Sequence, residues 1–396
     1  MNVDIASARP PVLASFGLGA LLTLAMALPM LILYAIGTLG PFLIDDLRIA
    51  PGWLGYATMS TFGLAAVLSP VAGPLVERLD PRRGLHLLFL AVALAYTLIV
   101  VVPGFGGVVA AVAVGGIAQA LSNPVTNLLI AQCVAPQNKA LVVGLKQSGV
   151  QVGALFAGLC LPVMATRFGW RAAVGGMVPV ALALGLMARF VVPPQPLGRA
   201  RRIIWSRPNP LLRRLMGVQA CVGIALSAFV TFLPVFAVRQ GASTAQAGLM
   251  IALFGAMGIV SRLLLTPLGG RLKDESQLLL ALLGVSALAV GVTMQADAAS
   301  RWMLWVGAAG MGLSAVATNA IAMGMLLRDP AFGTAATASG WLSAAFFGGF
   351  AFGPPVCGAI AGSGRGFAGA WCFGIVVLMV GCVPACALIR ARRPAR

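Results

Sequence analysis

Apolar residues in this chain run in stretches of about 20 or more positions, and nearly all charged residues collect in the short gaps between them. At a rise of 1.5 Å per residue, about 20 apolar positions match the ~30 Å hydrocarbon layer of a bilayer. Six such stretches fall near residues 16–44, 53–76, 84–102, 107–134, 140–164 and 172–192. Six more fall near 212–238, 246–270, 276–296, 302–327, 333–361 and 368–389. Between the two series lies the longest polar stretch, PPQPLGRARRIIWSRPNPLLRR, from Pro193 to Arg214. Only helices and closed barrels satisfy their backbone inside lipid, and these runs are too long for the alternating strands of a barrel. The pattern predicts an all-α membrane protein of twelve transmembrane helices in two six-helix halves. Its divisions are residues 1–192, a basic linker at 193–211, and residues 212–396.

Composition agrees with a lipid-solvated chain. Of 396 residues 60% are hydrophobic and 9% charged, with a mean hydropathy of +0.98. Soluble proteins are about 25% charged, so this chain lacks the polar side chains to cover a water-exposed globule. The net charge of +18 raises nucleic-acid binding, but its distribution rejects that class. If the N-terminus is cytoplasmic, nineteen of the 27 cations fall on the inner side and six on the outer side. The positive-inside rule then places both termini and the linker in the cytoplasm, with the lipid bilayer of the inner membrane as partner and no nucleic acid. The two remaining cations, Lys146 and Arg262, lie within spans. Seven cysteines occur without metal or disulfide spacing and read as small apolar residues. Residues 1–15 lack the order of a secretory signal, so the first run is expected to remain as a span.

The halves repeat each other. Thr38, Pro41 and Gly55 recur as Thr231, Pro234 and Gly248 at an offset of 193. Ser69-Pro70-x-x-Gly73-x-Leu75-x-Glu77 recurs as Thr266-Pro267-x-x-Gly270-x-Leu272-x-Asp274 at 197. Leu121-Ser122 with Thr126-Asn127 recurs as Leu313-Ser314 with Thr318-Asn319 at 192. Gly144 and Gly153 recur as Gly340 and Gly349. Ordered matches with so little drift indicate two halves in parallel orientation, as in many transporters.

The segment from Gly73 to Arg83, GPLVERLDPRR, resembles the loop signature G-x-L-x-D-R-x-G-R-R of the major facilitator superfamily, with Glu77 in place of Asp and Asp80-Pro81 in place of the x-Gly step. Twelve spans, the repeat and the basic central segment extend the resemblance over essentially the whole chain. It implies a secondary transporter working by alternating access, by symport or antiport, with Gly73, Glu77, Arg78, Arg82 and Arg83 forming a cytoplasmic gating loop and Gly270 and Asp274 its shorter second copy. A carboxylate at a helix end followed by arginines can pair with a neighbouring helix end only when that side is closed. Gly340, Gly349 and the run Gly353-Pro354-Pro355-Val356-Cys357-Gly358 resemble the glycine-proline motif of proton-linked drug antiporters, here on span eleven. Small residues at this spacing let helices approach closely and move.

Ionisable groups inside a membrane are costly and are functional candidates by default. Arg262 stands nine residues before Arg271, roughly 13 Å inside its helix, where its planar fork matches a carboxylate. A span-eight arginine also resembles that of monocarboxylate and oxalate:formate carriers. The bland alternative is an arginine satisfied by backbone carbonyls and neighbours such as Ser261. Lys146 either faces a cavity or snorkels to the interface. Gln147 and Gln151 share a face of span five, and Gln119, Asn123 and Asn127 form an i, i+4, i+8 row on span four, matched on span ten by Thr318 and Asn319. Each row serves equally well as cavity lining or as interhelical glue.

All nine acids lie near membrane boundaries, which argues against a carrier of organic cations. The sequence offers no acid cluster, metal pair or activated nucleophile of the kind an enzyme needs, so neither enzyme chemistry, a cofactor nor a metal is expected. The expected partners are a small anionic substrate such as a carboxylate and a co-transported or exchanged ion, with the chain acting as a monomer. The alternative is a proton-linked efflux pump for amphipathic drugs or toxic compounds.

Overall fold

The computed structural model describes residues 12–78, 80–134, 139–192, 207–272 and 274–392. Among them twelve helical segments are long and apolar enough to cross a membrane. The first half holds α1 (Val12–Thr38), α2 (Gly40–Leu47), α3 (Leu54–Arg78), α4 (Pro81–Val101), α5 (Gly104–Cys133), α6 (Lys139–Phe168), α7 (Trp170–Gly175) and α8 (Met177–Val191). The second holds α9 (Pro210–Arg239), α10 (Thr244–Arg271), α11 (Glu275–Met294), α12 (Trp302–Arg328), α13 (Ala335–Gly362) and α14 (Gly366–Arg392). Of the linker at 193–211, residues 193–206 lie outside the described residues, and α9 begins at Pro210.

Two apolar runs divide where hydropathy alone shows a single span. The run at 16–44 breaks at Leu39, where Thr38 turns its hydroxyl back onto the Tyr34 carbonyl at 2.8 Å and Pro41 stands in the first turn of α2. Proline fits a first turn because its missing N–H is not needed there. The sixth span divides at Gly176 into α7 and α8. Elsewhere Pro29, Pro70, Pro74, Pro124, Pro162 and Pro234 sit inside helices, which membrane bundles tolerate where neighbours re-satisfy the backbone.

Burial orders the bundle. α1 and α9, the first helix of each half, are each buried over 83% of their apolar windows and form its interior. Outward-facing residues such as Val67, Leu263, Leu288 and Val383 stay exposed, as a lipid-facing surface requires. The halves meet along two main seams, α3 against α13 and α6 against α10, with α1 touching α9 between them.

The seams are tightest at the end of the bundle opposite the linker. A Cβ added to Gly248 of α10 would stand 2.5 Å from the Gly158 carbonyl oxygen of α6. On the other seam, one added to Gly52 would stand 2.6 Å from the Gly358 oxygen. Backbone meets backbone at both places, so only glycine allows this approach. Gly55, the repeat counterpart of Gly248, likewise lies against Pro354 of α13. The two seams therefore close the opposite face at equivalent points of the internal repeat.

Ion pairs lie at the helix ends. On the opposite face, Asp46 accepts hydrogen bonds from Trp170 Nε1 at 2.9 Å and Arg171 Nη1 at 2.7 Å. The Trp170 bond first, and then Arg171, hold the Asp46 carboxyl below the usual carboxylate range. On the linker face, Glu275 pairs with Arg328 at 2.7 Å, and Arg392 reaches Asp274, Glu275 and Asp329 at 3.8, 3.5 and 3.4 Å.

Candidate functional site

The interior site is built where the polar rows of α5 and α6 meet α10. Arg262, near the middle of α10, reaches across the α6 seam, and its Nη1 donates to the main-chain oxygen of Gln147 at 2.6 Å and to Gln147 Oε1 at 3.0 Å. Gln147 Nε2 in turn donates to Asn123 Oδ1 of α5 at 3.2 Å. The Arg262 Nε–H is buried and has no partner. Ser261 does not supply the missing contact, since its own buried hydroxyl is unpartnered too.

Lys146 neither lines the cavities described below nor snorkels. Its side chain is fully buried and turned toward α5. Nζ donates to Asn127 Oδ1 at 2.6 Å, Thr126 Oγ1 at 2.8 Å and Asn123 Oδ1 at 3.4 Å. Three oxygens thus meet the three donors of an ammonium group, without a carboxylate among its hydrogen-bond partners. The i, i+4 spacing of Asn123 and Asn127 places both acceptors on the face that Lys146 meets.

Two adjoining cavities open beside this network. The smaller, about 50 Å³, is walled by Arg262, Tyr34, Gln147 and Gln151 with Phe346 and Phe350 of α13. The larger, about 270 Å³, extends toward the linker face past Asn127, Gly73, Met323 and Ser339. Gln119 and Asn123 line both cavities and so join them. With the opposite face closed by glycine seams, the site communicates toward the linker face.

The sequence-derived candidates therefore separate. Arg262, Gln147, Gln151, Gln119, Asn123, Asn127 and Asn319 all line one or both cavities. Thr318 lies behind the wall: its hydroxyl donates to the Ala315 carbonyl at 2.7 Å, and its own carbonyl accepts from Gln219 Nε2 at 3.2 Å. Asn319 Nδ2 donates to Gln219 Oε1 at 3.3 Å, so this row also ties α12 to α9.

Among the gating candidates, Gly73 lines the larger cavity, while Arg78 and Arg83 are exposed and Arg82 is half-buried. The Arg82 main-chain N–H donates to Asp80, which caps α4. The side chain of Glu77 lies outside the described part of the structure, and Gly270 is in the last turn of α10. Asp274 caps α11 and pairs with Arg392 of its own half.

Tyr34, Gln219, Phe346 and Phe350 were not visible as site residues from sequence. Gln219 could have been found as a further mid-span amide. An i, i+4 phenylalanine pair is indistinguishable in sequence from a lipid-facing stripe.

A helical bundle of two repeated halves, with a polar site midway along the spans and access from one face, is the architecture of an alternating-access membrane transporter. Residues 13–341 match the family model described as the Major Facilitator Superfamily, and the chain belongs to that superfamily. Comparison with curated proteins yields no match. Among solved structures the chain is similar to a bacterial homologue of the human lysosomal transporter Spinster in its inward-facing, occupied conformation. That match has a TM-score of 0.74 at 16% identity, covering 96% of this chain and 98% of the other. The inward-facing, unoccupied conformation of such a homologue gives a TM-score of 0.72 at 14% identity, covering 98% and 100%. At this identity the likeness shows the fold.

Proposed function

We propose that this transporter moves a small organic anion, such as a carboxylate, across the cytoplasmic membrane by alternating access between its halves. The observation that carries the reading is Arg262: a guanidinium on the cavity wall, bonded to an uncharged glutamine, with a buried N–H left over. A buried cation without a counter-charge is costly, and an anionic substrate supplies both the charge and the acceptor. The described acids support the same sign, because they lie at helix ends and loops, where they cannot reach a substrate cation beside Arg262.

In this reading the linker face, which bears most of the arginines, is cytoplasmic, and the form described is the inward-open one. Substrate enters past Asn127 and Asn123, and its acid group takes the free Arg262 N–H. Competition with the Gln147 oxygens for the guanidinium links binding to the α6–α10 seam, which must open on the other side during the cycle.

The test is uptake into liposomes containing purified protein, run with anionic, neutral and cationic solutes and with Arg262→Ala in parallel. Saturable transport of anions that the variant abolishes is expected. Transport of neutral or cationic solutes alone, unchanged in the variant, would overturn the reading.

A further inference from the structure

The wall around Arg262 carries information about the whole substrate as well as its charge. Among the described residues Arg262 is the one cation lining either cavity, because Lys146 is enclosed behind Asn123 and Asn127. The site therefore pairs one acid group. A second carboxylate would meet amides and hydroxyls such as Asn127 and Ser343 but no second cation to balance its charge.

The aromatic part of the lining suits a flat ring. Phe346 and Phe350 stand one turn apart on α13 with centroids 4.5 Å apart, and Phe62 of α3 backs Phe350 at 4.8 Å. Phe346 retains 8% of its surface, which leaves part of its ring available on the cavity. Met26 and Met30 of α1 complete the lining with adaptable thioethers that pack well against aromatic edges. The space beside Arg262 is about 50 Å³, less than the roughly 150 Å³ that takes up a benzene ring, so a ring bound by Arg262 extends into the adjoining 270 Å³ cavity.

Two further atoms call for a donor. Gln119 Oε1 and Gln151 Oε1 both belong to side chains on this cavity wall, are buried in residues only 4% and 2% exposed, and lack any partner in the protein. A buried acceptor left unpaired is costly, so a substrate hydroxyl reaching one of them gains specificity.

We propose that the transported anion is an aromatic monocarboxylate: a single ring bearing one carboxylate for Arg262 and a hydroxyl that donates to Gln119 or Gln151. This assignment rests on the anion reading above and narrows it. No bond is made or broken; recognition alone is involved.

The experiment is equilibrium binding to the full chain in lipid nanodiscs. The probes are the three hydroxybenzoates, benzoate, acetate, succinate, terephthalate and benzamide, with Arg262→Ala, Phe346→Leu, Gln119→Leu and Gln151→Leu alongside. One hydroxybenzoate is expected to bind best, benzoate next, and acetate, terephthalate and benzamide at least about tenfold more weakly. Phe346→Leu should weaken benzoate roughly fivefold while leaving acetate unchanged. Where Gln151 takes the hydroxyl, Gln151→Leu should erase the advantage over benzoate; where Gln119 does, Gln119→Leu should.

Acetate or succinate binding as tightly as benzoate, and lost in Arg262→Ala, would overturn the aromatic assignment and leave the anion reading standing. Benzamide binding best and indifferent to Arg262→Ala would overturn both. Absence of binding by every probe would overturn the aromatic assignment, while liposome transport of other anions tests the broader reading separately.

Discussion

Arg262 of the second half and Gln147 of the first are joined twice, through the main-chain oxygen at 2.6 Å and the side-chain oxygen at 3.0 Å, both from the same guanidinium nitrogen. One nitrogen thus serves the seam while Nε remains free. A lysine in this position keeps the charge but loses the planar fork that serves two directions at once. Arg262→Lys is expected to retain preference for anions while binding the best of them about tenfold more weakly, a change of about 1.4 kcal/mol. Titration of the same anion into both proteins checks this, and equal affinity would reduce Arg262 to a point charge.

Lys146 makes a different prediction because its cage is neutral. Asn127 Oδ1 is its shortest partner at 2.6 Å, so Asn127→Asp puts a carboxylate where an amide now stands. The resulting charge-assisted bond is roughly twice as strong as a neutral one. Thermal denaturation is expected to show a more stable protein, and transport a slower one, because the tied α5–α6 pair resists rearrangement. Lys146→Met in the same background should reverse the gain by leaving the new aspartate unpaired. A stability unchanged by either substitution would count against the role of the cage in holding α5 on α6.

How much of this could be read from residues alone depends on what each residue's role requires. Span number follows from apolar-run length, a one-dimensional property, and all twelve spans lie where the runs are. The break at Leu39 was hidden because apolar residues continue through it and only Pro41 marks it. Arg262, Gln147 and Asn123 were legible because polar groups in lipid are few and their spacing on a helix fixes their face. The direction of Lys146 was not, since its stem reaches either way and the outcome depends on how α6 packs against α5. Tyr34, Phe346 and Phe350 were silent because an aromatic residue facing a cavity and one facing lipid look identical without the neighbouring helix. Asp274 was legible as a helix-end carboxylate able to pair with a neighbouring helix end, but not the identity of its described partner, Arg392 at the end of α14.

Asp46 offers a pH-dependent readout outside the spans. Its carboxyl is held below the ordinary range by Trp170 and Arg171, so the ionised form is favoured in the fold. The stabilisation is therefore fully present above the ordinary aspartate value of about 3.9 and is lost as pH falls through the depressed value. The pair is largely solvent-exposed, which keeps the effect small. Asp46→Asn should melt slightly below the parent protein at pH 7, and the gap should narrow as the pH is taken below about 4. A gap independent of pH would assign the contribution to packing rather than to charge.

The glycine seams make the last prediction, and they bear on the transport cycle directly. Gly248 and Gly158 bring α10 and α6 to backbone contact on the opposite face, and a side chain at 248 would run into the Gly158 carbonyl. Overpacking of this kind costs about 1–3 kcal/mol, but only in the state where the seam is closed. Gly248→Leu should therefore shift the population toward the state open on the opposite face, by roughly thirtyfold if the cost is near the middle of that range. Spin labels on cysteines introduced at Phe168 and Ala245, with the native cysteines replaced, report the separation of the two helix ends. A longer mean distance in Gly248→Leu than in its parent, with slower transport and an intact helical spectrum, is the expected result. Gly55→Leu should do the same on the other seam, because its contact with Pro354 occupies the equivalent place in the repeat. An unchanged distance in a folded variant would mean that the seam is slack enough to absorb a leucine and does not set the balance between the two access states.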